Sequence, residues 1–176
     1  PLCLGQEDIQ ELIRKLSDRE ISNREEAVWK LGEMGQKAIP AIPALIKTLL
    51  KNEKVWVDGT EIPEERLAWR CSSLRATAAE ALGKIGAENE EVVPALTNAL
   101  SDISPLVVRD AVIALGNIGD KAFSASPGLI KLLGPYSYAW LRYKGIVTLE
   151  ILKSLIKIGK KRSEEHTSEL QSRQSI

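Results

Sequence analysis

The sequence predicts an all-α solenoid in which successive pairs of helices stack on one another. A segment with the pattern Ala-x-x-x-Leu-Gly-x-x-Gly begins at Ala27, at Ala78 and at Ala111. A proline stands twelve residues after the leucine of each copy, and two further leucines follow that proline at the same spacing. Recurrence in register indicates repeated units, and one helix pair cannot bury its apolar faces without neighbours.

The anchor leucines of these copies are Leu31, Leu82 and Leu115, so the repeat length is 33 residues and the first interval carries an 18-residue insertion. About four units result, truncated at both ends. The predicted divisions are the second helix of a leading unit (1–17), a repeat (18–51), the insertion (52–70), two repeats (71–101 and 102–133), a divergent incomplete repeat (134–161) and a tail (162–176).

Each full unit is predicted to contain two helices. The expected pairs lie near 22–34 and 39–51, 64–86 and 89–101, and 104–118 and 124–133, before a long helix near 138–158. Apolar residues between 74 and 85 recur at helical spacing, and Gly86 is expected to end that helix in the left-handed conformation. Ser104 before Pro105 is a start signal, since serine caps a helix and proline suits its first position.

The insertion predicts a β-hairpin over residues 55–62, because Asp58-Gly59 lies between β-favouring residues. Insertions in repeat proteins map to one face, often the binding face. We therefore consider Trp56 a candidate recognition residue. The alternative is that Trp56 covers neighbouring helices near Trp69.

These motifs resemble the HEAT family, in particular the short bacterial HEAT repeats and the PBS-lyase HEAT-like repeats with Ala-Leu-Gly-x-Ile-Gly and Pro-x-Leu-Ile signatures. The resemblance covers nearly all of residues 6–159. It implies a right-handed α-α superhelix of the armadillo-like type, whose second helices line a concave surface that binds macromolecules. In the family, a basic residue before the anchor leucine commonly pairs with an inter-repeat aspartate. Arg24, Arg75 and Arg109 stand near that position, and Asp18 and Asp102 are the matching acids.

Motifs for catalysis are missing from the sequence. No phosphate-binding loop, metal-ligand cluster or nucleophile with a histidine base occurs, and the one histidine lies in the tail. The sequence thus predicts no catalytic, cofactor or metal site, and a protein that is not an enzyme. No apolar run is long enough to cross a membrane.

The predicted function is a protein-binding scaffold. Arg14, Lys47, Asn98 and Lys131 share one position of the second helices and form a candidate binding column for an acidic protein or peptide. The chain carries no net charge, which disfavours nucleic acid, although residues 121–161 have eight bases and one acid. Two alternatives stay open: a HEAT-like bilin lyase, which attaches pigments to light-harvesting proteins, and a HEAT protein of the DNA-repair glycosylase type.

Both ends of the sequence are set apart from the repeats. Residues 162–176 resemble a translated sequencing adapter and are excluded from the fold. Residues 1–5 are interpreted as a loop entering the first helix, which favours a cytoplasmic protein. The alternative is the end of a cleaved export signal.

Overall fold

The computed structural model describes residues 8–50, 55–57, 60–62, 64–86, 88–133 and 148–159, with the side chains of 55–71 outside the description. The aromatic residues between 136 and 143 and the tail after 161 also lie outside it. The fold is an all-α solenoid, as predicted. Its helices are α1 (Ile9–Lys15), α2 (Ile21–Met34), α3 (Ile42–Leu50), α4 (Glu64–Ile85), α5 (Val92–Ala99), α6 (Pro105–Ile118), α7 (Ser126–Leu132) and α8, which includes residues 148–159.

The helices form two layers. First helices α2, α4, α6 and α8 make one layer, in which α4 packs between α2 and α6. Second helices α1, α3, α5 and α7 make the other. The anchor leucines Leu31, Leu82 and Leu115 are completely buried between the layers. Burial of leucines at one repeat position therefore forms a continuous core along the solenoid.

Glycines inside the first helices allow close packing between units. A Cβ at Gly83 would lie 2.7 Å from the Cβ of Ala114, and one at Gly32 would lie 3.2 Å from that of Ala81. At Gly116 the neighbour is Ser154 of α8, whose hydroxyl donates a 2.9 Å hydrogen bond to the Val112 carbonyl. The Gly of each Leu-Gly pair thus serves the contact with the next unit.

Two further glycines end first helices. Gly35 after α2 has φ 54° and Gly119 after α6 has φ 75°, and each begins a 3-10 helix (Gly35–Ala41 and Gly119–Ala125) that leads to the second helix. The expectation of a left-handed Gly86 is wrong, because its φ is not positive. Glycine is needed there for space: a Cβ would lie 2.9 Å from the Leu82 carbonyl oxygen.

Strands β1 (Val55–Val57) and β2 (Thr60–Ile62) form the antiparallel hairpin expected in the insertion. Val57 pairs with Thr60, so two residues join the strands. The backbone of β1 lies beside α2 and α4. The hairpin strand β1 therefore lies next to the first-helix layer.

Candidate functional site

A groove of about 620 Å³ lies between α3 and α5 on the exposed side of the second-helix layer. The groove is shallow and open to solvent. Leu45 and Leu96 turn inward and are fully buried, which leaves the opposite sides of their helices to line the groove. The lining residues are Pro43, Ile46, Leu50, Glu90, Glu91, Pro94, Ala95 and Asn98.

A smaller pocket of about 240 Å³ shares Leu50 and Asn98 with this groove. The pocket contains an ion pair between Arg75 of α4 and Asp102, which follows α5. Their side chains are only 6% and 14% exposed. Glu90 and Glu91 precede α5, so the acidic pair and the ion pair stand at opposite ends of that helix. The groove and the pocket meet at Leu50 and Asn98, and polar side chains lie at the far end of each.

The four residues of the predicted column are all exposed, one on each second helix. Asn98 lines both pockets, and Lys47 is adjacent to the groove residue Ile46. Arg14 donates to the Glu11 carboxylate at 2.9 and 2.7 Å, and this hydrogen bond raises the pKa of the guanidinium. Within the described ranges, Lys47 and Lys131 have no ion-pair partner. These two lysines are therefore available to an anionic ligand.

The backbone of Trp56 lies beside other helices than those that carry this column. Its backbone belongs to β1, whose main neighbours are the first helices α2 and α4. The side chains of Trp56 and Trp69 lie outside the description. The role of Trp56 in recognition therefore stays a proposal about a different surface.

The predicted arginine ladder forms at one position among the described residues. Arg75 reaches Asp102 of the next unit, whereas Arg24 donates to the backbone carbonyl of Asp18. The Asp18 carboxylate accepts from the Glu20 amide at 2.9 Å, which lowers its pKa. Arg109 bonds its neighbour Asp110 at 2.6 Å, and this bond raises the pKa of Arg109. Of these three arginine bonds, the one from Arg75 connects consecutive repeats.

No group of three side chains with metal-ligating atoms occurs in the described ranges. No helix within those ranges is both long enough and apolar enough to span a membrane.

Comparison with known proteins places this fold in a family. Residues 65–150 match the family described as HEAT repeats, and residues 24–51 match the PBS lyase HEAT-like repeat. The chain belongs to the HEAT-repeat family. The two matches cover α2 and α3 and most of the solenoid from α4 onward.

A curated HEAT relative is the phycocyanobilin lyase subunit alpha of Nostoc sp. PCC 7120, 36% identical over 121 residues. The match covers 69% of this chain and spans 38% of the relative's length. The solved complex of CpcE and CpcF of phycocyanin lyase, also from Nostoc, aligns with TM-score 0.67 and 29% identity, over 93% of this chain and 58% of the matched chain. An engineered protein shares the fold, with TM-score 0.57 and 21% identity. That alignment covers 86% of this chain and 62% of the engineered chain.

The prediction that this HEAT chain is not an enzyme is wrong, because the chain is similar to a phycocyanobilin lyase subunit and to a phycocyanin lyase complex. The absence of catalytic motifs from the sequence was not sufficient ground for that prediction. Leucines and glycines at repeat positions build the solenoid, and a fold by itself does not determine function. Groove residues such as Pro43 and Leu50 belong to no recognised catalytic motif.

Proposed function

We propose that the chain is part of a HEAT-type bilin lyase subunit, which holds a linear tetrapyrrole for attachment to a phycobiliprotein and works with a partner subunit. The observation that carries this proposal is the 36% identity over 121 residues to a phycocyanobilin lyase subunit. The similarity to the CpcE and CpcF complex supports a partner subunit. Both similarities favour the bilin-lyase alternative of the sequence analysis over its main prediction of a protein-binding scaffold.

The chemistry of the groove fits a bilin. A bilin has a long conjugated body with apolar faces, ring N–H groups and two propionate side chains. Pro43, Ile46, Leu50 and Pro94 offer apolar surface to the body. Asn98 supplies amide donors and acceptors at the junction with the smaller pocket. A few polar groups placed around an apolar site are the usual means of orienting a ligand.

Charge at the rim gives the bilin a preferred orientation. Lys47 follows the groove residue Ile46 on α3 and has no ion-pair partner in the described part of the chain, so it can meet a propionate. Glu90 and Glu91 lie at the start of α5 and repel one. The propionates are therefore expected toward Lys47, away from the acidic end.

Titration of the full chain with phycocyanobilin tests this function by absorption spectroscopy. We expect a saturable spectral change, which Leu50→Asp reduces by about tenfold in affinity, a loss of about 1.4 kcal/mol. Ile39→Asp is the matched control, because Ile39 is as exposed as Leu50 but lies in the first 3-10 helix. Absence of a saturable change in the wild type, or an equal loss in both variants, would contradict the proposal.

A further inference from the structure

Arg75 carries hydrogen-bond donors that its ion pair with Asp102 leaves unused. A guanidinium has five N–H donors. The Asp102 carboxylate accepts one from Nε and one from Nη2, and Arg75 makes no other hydrogen bond in the described part of the chain. Both hydrogens of Nη1 therefore have no acceptor among these residues, on a side chain that is only 6% exposed. Unused donors on a buried charged group call for a water molecule or a ligand.

The pocket of about 240 Å³ gives access to these donors. Arg75 and Asp102 both line it, so the end of the arginine that reaches Asp102 is the part that borders the cavity. Asn98 and Ser101 add an amide and a hydroxyl to the same pocket, and neither side chain has a hydrogen bond within the described ranges. Three polar side chains with unused bonding capacity thus converge on one cavity, as at a ligand site.

The pocket lies at a seam inside the solenoid, between two complete units. Leu49 and Leu50 of α3 form one side, and the other side comes from α4, α5 and the turn 101–104. All of its lining residues belong to the described ranges. Packed helices of both units therefore bound the cavity, and its existence does not depend on what adjoins either end of the chain.

The unused donors fit a carboxylate. Arginine N–H groups form strong charge-assisted hydrogen bonds with carboxylates, and a guanidinium can serve two of them because its donors point along different edges. The Asp102 carboxylate is already satisfied, since it accepts from Arg75 and, through Oδ1, from the Ser104 amide at 2.8 Å. Lys47 stands on α3 at the repeat position of Asn98 and has no ion-pair partner in the described structure. Its positive charge adds to the attraction for an anion.

We infer that this pocket binds one propionate carboxylate of the bilin, with Nη1 of Arg75, the Asn98 amide and the Ser101 hydroxyl as donors. The pocket meets the groove at Leu50 and Asn98, so a ligand whose body lies in the groove can extend a side chain into the pocket. The inference rests on the proposed function for the identity of the ligand, and it names the group of the bilin that the pocket recognises. Arg75 then joins two repeats and also binds the ligand.

Spectroscopic titration of the full chain with phycocyanobilin and with its dimethyl ester tests this site. Esterification removes the charge of both propionates and leaves the conjugated body unchanged. The wild type should bind the free acid about tenfold more tightly than the ester, since hydrogen bonds to a charged group are lost. Ser101→Ala should reduce this preference to about threefold. Ser17→Ala is the matched control, because Ser17 is exposed at the same repeat position after α1 and lines neither the groove nor the pocket.

Arg75→Lys provides a second variant, because it keeps the positive charge but places its donors on a single atom. It should remove most of the preference for the free acid, and circular dichroism melting verifies that the variant folds. Sodium propionate is a second probe. It should shift the NMR signal of the Arg75 Nε–H group, which is assigned by its loss in Arg75→Lys. Sodium chloride at the same concentration is the control for ionic strength.

The outcomes separate this inference from the proposed function. Equal affinity of the wild type for acid and ester overturns the pocket as the propionate site, while bilin binding in the groove stands. An unchanged preference in both Ser101→Ala and Arg75→Lys has the same meaning. A wild type that binds neither pigment contradicts the proposed function and the bilin as the ligand of the pocket, and a shift of the Arg75 signal by propionate then supports carboxylate binding alone. Absence of that shift overturns the carboxylate site itself.

Discussion

Arg75 and Asp102 form a doubly bonded ion pair across 27 residues of sequence, with Nε to Oδ2 at 2.9 Å and Nη2 to Oδ1 at 3.0 Å. Oδ1 of Asp102 also accepts from the Ser104 amide at 2.8 Å, in the turn before α6. One carboxylate thus fixes the start of α6 and joins it to α4. The planar guanidinium matches the carboxylate in both bonds.

Asp102→Ala should destabilise the chain by about 3 kcal/mol, because it leaves the Arg75 charge buried without its partner. Urea unfolding followed by circular dichroism measures the change. Glu33→Ala is the matched control: it removes a 3.0 Å pair with Lys84 whose members are both exposed, and its effect should be small. A loss at Asp102 no larger than that of the control would show that the pair is not a structural link.

Both members of this pair were predicted from the sequence, but the bonding partner of Arg24, the equivalent of Arg75 in another repeat, was not. Arg24 occupies the same repeat position as Arg75, yet the residue 27 positions after Arg24, where Asp102 follows Arg75, is Lys51. Without an aspartate there, Arg24 turns to the carbonyl of Asp18. The repeat pattern predicts where a partner should be, whereas the alternative bond depends on the local backbone of the turn before α2.

Gly83→Ala should destabilise the solenoid by about 1 to 3 kcal/mol, because the new Cβ would overlap Ala114 of α6. Gly159→Ala is the control. It lies at the end of the described part of α8 with no atom within 4 Å of an added Cβ. There the higher helix propensity of alanine should stabilise the chain slightly. Thermal melting of the two variants should therefore give shifts of opposite sign.

The helix pairs were predictable because burial of leucines at one repeat position leaves a periodic record in the sequence. The role of Gly83 was not, because the pattern Leu-Gly is compatible with a helix end as well as with a close contact in mid-helix. The groove was also beyond prediction. Its width between Leu50 and Pro94 depends on how far apart α3 and α5 lie, which their separate sequences do not record.

Trp56→Ala should leave phycocyanobilin binding unchanged, because β1 lies beside α2 and α4 and the proposed groove lies between α3 and α5. Spectroscopic titration checks this expectation, and a reduced bilin affinity would contradict it. The melting temperature separates the two hypotheses for Trp56. Lost capture of a protein partner with unchanged melting supports recognition, whereas a lower melting temperature with retained capture supports packing.

The column of second-helix residues is proposed to attract an acidic protein surface, and two of its members are suited to this. Lys47 and Lys131 are exposed at the same repeat position of α3 and α7, and neither has an ion-pair partner in the described ranges. Asn98 lies between them on α5. Joint Lys47→Glu and Lys131→Glu should weaken the binding of apo-phycocyanin. The same change should make that binding less dependent on salt, since the attraction depends on charges near the surface.

Binding of apo-phycocyanin at low and high salt measures this effect. The matched control is joint Lys37→Glu and Lys121→Glu, which makes the same change of charge on the exposed 3-10 helices. If only net charge mattered, both pairs would weaken binding equally. We expect a greater loss of apo-phycocyanin binding for the Lys47 and Lys131 variant than for the control. Total charge sets the long-range attraction, which both variants change equally, whereas the contact itself depends on the positions of the charges. Equal losses would remove the column as a binding surface.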